Sequence, residues 1–404
     1  MPRTRWLALT VLCAATLMII LDGTIVTVAL PSIQRDLGFS PAALSWVLNA
    51  YLIAFGGLLP LAGRLGDLVG RKRVFLAGLA AFAAASLLCG LSVTPQMLIA
   101  ARFVQGAGAA MVSAVSLGMI AMLFTEPAER QRAIGAYSFV GAAGASIGLA
   151  VGGLLTQSAG WHWIFFVNLP IAAAAGLPAA RLLEADRGLG LRAGADWPGA
   201  AASVAGLMTG IYAIVEAARY GWLSAHTLGT AAVSAVLLAA FAVRQAKARM
   251  PLLPPRILAS RTVAGANLAQ LLVIAAAFGF QVIIVLYFQH SLGYGPARAG
   301  LALLPVAAII GVVSLGLFAR LAGRAGARTV LLAGLALIAA GLALLTRAPA
   351  PAEYAAQVLP WLLLFSIGGG LVLPALTALG MSAAGPGDAG AVSGLFNTTQ
   401  QVGA

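Results

Sequence analysis

Apolar residues fill this sequence in long runs, and the polar residues collect in the short segments between them. The runs are roughly 18–25 residues long, enough for a helix to cross the ~30 Å hydrocarbon core of a bilayer. They predict helices at roughly 7–31, 43–63, 74–93, 97–123, 133–157, 163–183, 198–218, 227–245, 264–289, 297–319, 329–346 and 356–380, with a further one starting near Ala389. A β-barrel would show segments of about ten alternating residues, and this chain does not. The first run is too long for a cleaved signal peptide and lacks a small-residue cleavage site, so it reads as a retained helix. The fold class is an all-α polytopic membrane protein.

Composition agrees. The chain is 61% hydrophobic and only 9% charged, too little polar surface for a soluble globule. A net charge of +13 raises the question of nucleic acid. The basic residues sit in short segments between apolar runs, which excludes that partner and gives topology instead. Alternate segments hold Arg3 and Arg5; Arg64, Arg71, Lys72 and Arg73; Arg130 and Arg132; Arg181, Arg187 and Arg192; Arg244, Lys247, Arg249, Arg256 and Arg261; Arg320, Arg324 and Arg328. The opposite segments hold only Arg35, Arg219, Arg298 and Arg347. The positive-inside rule then places the N-terminus in the cytoplasm. Cys13 and Cys89 fall inside predicted helices, so no disulfide framework is expected. The preference for arginine over lysine is that of a GC-rich bacterial genome.

The chain repeats itself. Leu37-Gly-Phe-Ser-Pro41-Ala returns as Leu292-Gly-Tyr-Gly-Pro296-Ala, and Arg64-Leu-Gly-Asp-Leu-Val-Gly70 returns as Arg320-Leu-Ala-Gly-Arg-Ala-Gly326. Both basic segments are followed by Val-x-Leu-Ala-Gly, at 74–78 and 330–334. Gly106, Gly108, Gly118 and Met119 correspond to Gly368, Gly370, Gly380 and Met381. Transporters are commonly built from such repeats, with the substrate site at their interface. The division expected is a six-helix bundle over 1–187, two linking helices over 188–255, and a second bundle over 256–404. The second bundle holds four predicted helices and the start of a fifth, which implies a C-terminally truncated fourteen-helix protein.

Three groups carry chemistry. Asp22 lies in an apolar run, where a carboxylate costs about 2.5–3.5 kcal/mol on insertion scales. Such a group lines a polar cavity or binds protons; the alternative is an interfacial residue at a helix end. Arg102, near the outer start of helix 4, needs acceptors that Asp22 or Gln105 would supply; the alternative is a snorkelling arginine. The segment Gly63–Arg73 packs five charges into eleven residues and reads as a loop between helices 2 and 3. In it Asp67 would bond the amides of the following helix and pair with Arg71, and Gly63, Gly66 and Gly70 would allow a tight crossing. That makes a contact able to hold one state and break in another. A plain basic loop explains Arg71, Lys72 and Arg73, but not Asp67.

Gly141, Gly144, Gly148, Gly152 and Gly153 give helix 5 a small-residue face for close packing. Glu216 is a possible accessory acidic group. His162, His226 and His290 fall in outside segments and form no metal-ligand cluster, and no phosphate-binding Gly-Lys-Ser/Thr loop is present. By the repeat, Asp22 corresponds to Ala277, Asp67 to Gly323 and Arg102 to Leu364. The asymmetry places proton handling in the first half and leaves the second more apolar, suited to a greasy substrate.

At these residues the chain resembles the major facilitator superfamily, and within it the fourteen-helix drug:proton antiporters. Gly63–Arg73 resembles the signature between helices 2 and 3, Arg102–Ala110 the helix-4 signature, and Leu21–Pro31 that of helix 1, with Thr27 where asparagine is usual. Gly194-Ala-Asp-Trp-Pro-Gly199, Trp161–Pro170 and Asn397–Gly403 resemble the same group. On helix 5, Leu149 stands where the antiporter pattern has proline. The resemblance implies a bacterial inner-membrane transporter, not an enzyme, working by alternating access as a monomer. It implies export of a hydrophobic or cationic small molecule in exchange for protons, with the proton gradient as energy source and no cofactor. Asp22 and Arg102 would couple protons, and Gly63, Arg64, Gly66, Asp67, Gly70, Arg71, Lys72 and Arg73 would form the gate. A proton symporter importing a metabolite, or a non-transporting membrane sensor or assembly protein, are the other readings.

Overall fold

The computed structural model describes residues 2–184, 186, 188–190, 196–248, 251, 255–294, 298, 302–347, 353–382 and 388–403. Arg187, Arg192, Gly194, Arg249 and Pro296 lie outside them, as do the side chains of Arg3, Leu149 and His290. Among the described residues the chain is helical, in the order α1 Pro2–Leu37, α2 Trp46–Val69, α3 Arg71–Gly90, α4 Pro95–Leu123 and α5 Pro127–Ser158. Then come α6 Trp163–Leu182, α7 Trp197–Tyr220, α8 Ala225–Lys247 and α9 Arg261–His290. The last are α10 Leu304–Ala325, α11 Ala327–Leu345, α12 Tyr354–Gly380 and α13 Ala389–Gly403. Eleven of the described helices are long and apolar enough to cross a membrane.

Helices α1 to α6 pack on one another, through α1 against α5 and α6, α4 against α2 and α3, and α3 against α6. The second half repeats the scheme with α12 against α9, α10 and α11, and α9 against α13. The linking pair α7 and α8 packs on itself and on α2. The repeat is visible in the packing, with Gly368 in the place of Gly108, two residues from the sequence pairing of Gly108 with Gly370. A side chain on Gly78 of α3 would meet the Gly108 carbonyl of α4 at 2.9 Å, and one on Gly334 of α11 would meet the Gly368 carbonyl of α12 at 3.0 Å. Small residues allow the same backbone approach in both halves.

The halves meet in two related crossings. α2 meets α13 where Gly63 abuts the Gly390 carbonyl and a side chain on Gly394 would lie 2.9 Å from the Leu59 carbonyl. α5 meets α10 where Gly135 abuts the Ser314 carbonyl. Both crossings gather at the end of the molecule that carries the basic turns, hereafter the basic end. There a side chain on Gly118 of α4 would also meet the Ala389 carbonyl, at 3.0 Å.

Two expectations about element ends are corrected. The segment Gly63–Arg73 is helical apart from Gly70: α2 runs to Val69 and α3 starts at Arg71. Only Gly70, at φ +108°, leaves the helical region, a conformation a side chain resists. Its repeat is built alike, with Gly326 at φ +79° between α10 and α11. Polar residues in a helix end read as a loop because hydropathy reports burial in lipid, not backbone geometry. Helix α1 likewise continues through Pro31 to Leu37. Ile33 beyond the proline is fully buried, and Trp161 Nε1 donates to Asp36 at 2.8 Å, so packing overrides the lost amide.

Candidate functional site

The first site forms because small residues let four helices close on α1. A side chain on Gly144 of α5 would meet Leu17 and Ile20, one on Gly148 would meet Thr24, and one on Gly152 would lie 2.7 Å from Ile25. Gly153 sits off this seam, where a side chain would come only within 4.0 Å of Val28. Gly106 of α4 abuts the Tyr51 carbonyl of α2. The result places Asp22 of α1 beside Arg102 of α4, both fully buried.

Hydrogen bonds from four helices converge on them, while Arg102 Nη2, Tyr51 Oη and Asn168 Oδ1 are buried without a hydrogen-bond partner. Arg102 Nη1 donates to Asp22 Oδ2 at 2.5 Å and to Gln105 Oε1 at 2.6 Å, and Arg102 Nε donates to the Val47 carbonyl at 3.0 Å. Gln105 Nε2 and Asn168 Nδ2 each donate to Asp22 Oδ1 at 2.8 Å. Gln105 also donates to Ser86 Oγ of α3 at 2.8 Å. The guanidinium lies 4.2 Å over the Tyr51 ring, a cation–π contact in a dry setting. The guanidinium stays charged, so the carboxylate is its neutralising partner, and three donors satisfy that carboxylate. Protonating Asp22 here would leave a buried cation without its counter-charge. Such an imbalance costs several kcal/mol and drives rearrangement.

The second site is at the basic end. Asp67, 3% exposed, lies in the last turn of α2. Its Oδ1 accepts from Arg71 Nη2 at 2.6 Å and from the Gly390 amide at 3.0 Å, and its Oδ2 accepts from the Ala391 amide at 2.9 Å. The carboxylate therefore caps the N-terminus of α13, where unpaired amides and the helix dipole favour an anion. This corrects the expected partner. Asp67 does not bond the amides of α3; those of Arg71 and Lys72 donate to Asp186, at 3.0 and 3.4 Å. Arg71 also reaches Met122 Sδ, and Lys72 Nζ donates to the Ala180 carbonyl at 2.7 Å. A side chain on Gly66 would lie 2.5 Å from Val115, Arg64 is buried, and Arg73 is exposed.

Glu216 lies apart from both sites, on α7. It is 5% exposed and 3.7 Å from Arg219. An open apolar cleft of 580 Å³ lies between α2 and α4, lined by Trp46, Ala50, Ile53, Ile99 and Phe103 among others.

Sequence reading missed Ser86, Asn168, Tyr51 and Asp186. The second half, expected to be more apolar than the first, also holds buried neutral polar groups that the sequence reading did not single out. Thr399 donates to Asn267 Oδ1 at 2.5 Å, Asn397 Nδ2 donates to the Ser113 carbonyl at 3.1 Å, and Gln270 is buried. The second half lacks charge at this interface but carries neutral amides. Asn267 and Gln270, three apart on α9, were the available signal.

Known proteins match this architecture. The family model described as Major Facilitator Superfamily matches residues 12–404. The puromycin resistance protein pur8 of Streptomyces alboniger is 41% identical over 405 residues, covering all of this chain and 80% of that protein. The cephamycin export protein CmcT of Amycolatopsis lactamdurans is 39% identical over 402 residues, 99% of this chain and 83% of that protein. The methylenomycin A resistance protein of Bacillus subtilis (strain 168) is 33% identical over 398 residues, 98% of this chain and 84% of that protein. Among solved structures, the human organic anion transporter MFSD10 (TETRAN) superposes with a TM-score of 0.68 at 17% identity, covering 99% of this chain and 91% of that one. Alike in sequence along nearly its whole length and in fold, the chain belongs to the Major Facilitator Superfamily.

Proposed function

We propose that this protein is a proton-coupled exporter of antibiotic-like small molecules, hydrophobic or cationic, working by alternating access. The observation that carries the reading is the buried Asp22–Arg102 pair, whose counterparts in the repeat are Ala277 and Leu364. A packing duty would recur in both halves; a proton site need exist only in one. The names of the relatives, resistance and export proteins for puromycin, cephamycin and methylenomycin, support the substrate class and the outward direction.

In this reading the protein lies in the bacterial cytoplasmic membrane with its N-terminus and basic end in the cytoplasm. It is not an enzyme, acts as a monomer, and divides into bundles at 1–187 and 256–404 with linking helices between. With the basic end closed by Asp67 on α13, Asp22 takes a proton from outside. Loss of its negative charge frees Arg102 from Asp22 and unsettles α1 against α4. The latch opens, the proton leaves to the cytoplasm, and substrate enters from there. One inward proton supplies about 2.3 kcal/mol per 100 mV, about a fiftyfold gradient of a neutral substrate.

The test is efflux of puromycin, a cephamycin and ethidium from proteoliposomes under an imposed pH gradient. Asp22→Asn is expected to abolish the response to the gradient while the protein remains folded. Unchanged gradient-driven efflux in that variant overturns the proton role.

A further inference from the structure

Asp186 and Gly188–Gly190, which follow α6, lie as a strap across the turn between α2 and α3 and bond both its carbonyls and its amides. α2 ends at Val69, leaving its last carbonyls without partners inside the helix. The carbonyls of Asp67 and Leu68 are met instead by the amides of Leu189 and Gly190, both at 2.9 Å. α3 begins at Arg71, and its first amides are met by the Asp186 carboxylate. The fit leaves no room at two glycines. A side chain on Gly70 would lie 2.6 Å from the Asp186 carbonyl, and one on Gly188, at φ +59°, would lie 2.5 Å from the Leu68 carbonyl.

Two features tie this strap to the latch. Asp67 is held at both ends: its side chain binds the α13 amides and its own carbonyl binds the strap. Arg71 stands between two carboxylates, Asp67 at 2.6 Å and Asp186 at 3.8 Å. Asp186 is half-buried and draws on the same guanidinium that neutralises the buried latch. A shift of the strap therefore changes both the register of the α2 end and the share of Arg71 available to Asp67.

We propose that Asp186 is a positioning residue of the cytoplasmic gate: through Arg71 and the strap residues Gly188–Gly190 it sets Asp67 against the N-terminus of α13. The connector leading to the linking helices α7 and α8 is thereby a working part of the gate. This rests on reading Asp67 as the latch. The competing role is a simple cap on α3, which would stabilise that helix without regard to Arg71 or α13.

The experiment measures the gate directly. Spin labels are placed at Thr125→Cys and Arg328→Cys, both exposed, on turns of opposite halves at the basic end. Native Cys13 and Cys89 are buried and serve as background. The reconstituted transporter is then compared with its Asp67→Asn, Asp186→Asn, Asp186→Glu and Gly188→Ala variants. Asp67→Asn is expected to lengthen the distance distribution. Asp186→Asn should lengthen it in the same sense and slow puromycin efflux about two- to fivefold, the size of effect of a carboxylate at a helix N-terminus. Gly188→Ala should act alike with no change in charge, and Asp186→Glu should restore most of the short distance. In an Arg71→Ala background, Asp186→Asn should add nothing. If Asp186→Asn leaves the distances unchanged while Asp67→Asn shifts them, or if its effect adds in full to Arg71→Ala, Asp186 is only a cap and the proposal fails. If Asp67→Asn itself shifts nothing, the gate reading falls and takes this proposal with it.

Discussion

The turns after α2 and after α10 occupy equivalent places and share a backbone. Each closes on a glycine at positive φ, and each belongs to a helix that crosses a partner from the other half. Their chemistry differs. The first carries Asp67, bound to Arg71 and to two amides of α13. The second has Gly323 at the corresponding place, where an added side chain would meet Gln131 Oε1 of α5 at only 4.0 Å. The crossing that parallels the latch relies on the close approach of Gly135 to Ser314 and on an Arg130 hydrogen bond to the Met381 carbonyl at 3.2 Å. Both crossings are built on close packing; the first adds an ion-paired carboxylate on two amides, the second a single arginine–carbonyl bond.

The strongest way to break the comparison is to give the first half the residues of the second. Arg102→Leu leaves Asp22 buried without its cation and is expected to cost about 3–5 kcal/mol, read as a large fall in thermal unfolding temperature in nanodiscs. Adding Asp22→Ala should recover most of that loss, yet gradient-driven efflux should stay absent. Next in size, Asp67→Asn keeps the shape and removes the charge. It should weaken the closed basic end by about 1–3 kcal/mol, measured as faster labelling of cysteines placed at that end. The opposite change, Gly323→Asp, offers α5 the carboxylate that α13 already has. It should favour closure by about 0.3–1 kcal/mol and slow turnover; faster labelling would show that the two crossings are not equivalent.

The smallest effect is expected outside both turns, at Asp196, which caps α7 through the Gly199 amide. Burial works to raise its carboxyl, but the hydrogen bonds of Arg244, Gly199 and Gln245 outweigh it and hold it below the usual carboxylate range. A depressed carboxylate contributes stability above its unfolded value, and loses that contribution as pH falls through the folded one. Wild type should therefore exceed Asp196→Asn by about 0.5 kcal/mol near neutrality, with the gap closing only in the acid range below the ordinary carboxylate value.

Much of this was legible in one dimension. The long apolar runs mark the spanning helices because a bilayer admits only segments that satisfy their own backbone. Asp22 and Arg102 stood out because charge in such a run is costly. The partners did not. Ser86 and Asn168 are single small polar residues on apolar helices and give no periodic signal. The Gly390 amide is a backbone group more than three hundred residues from Asp67, invisible to any side-chain pattern. Asp186 lay among loop residues whose charge suggested only solvent. The reading of Gly63–Arg73 as a loop failed because charge and glycine mark loops in most proteins, while here they mark a helix end pressed against another.

One irregularity bears on the unequal length of the two repeats. α10 is interrupted by a π-helical turn at Val313–Leu317, beside its crossing with α5. A π turn holds one residue more than an α turn. Pro41 pairs with Pro296 and Gly70 with Gly326, and the later stretch is one residue longer than the earlier. A π turn within that stretch has room for the extra residue, and the turn glycine after it, Gly326, keeps the positive φ of Gly70.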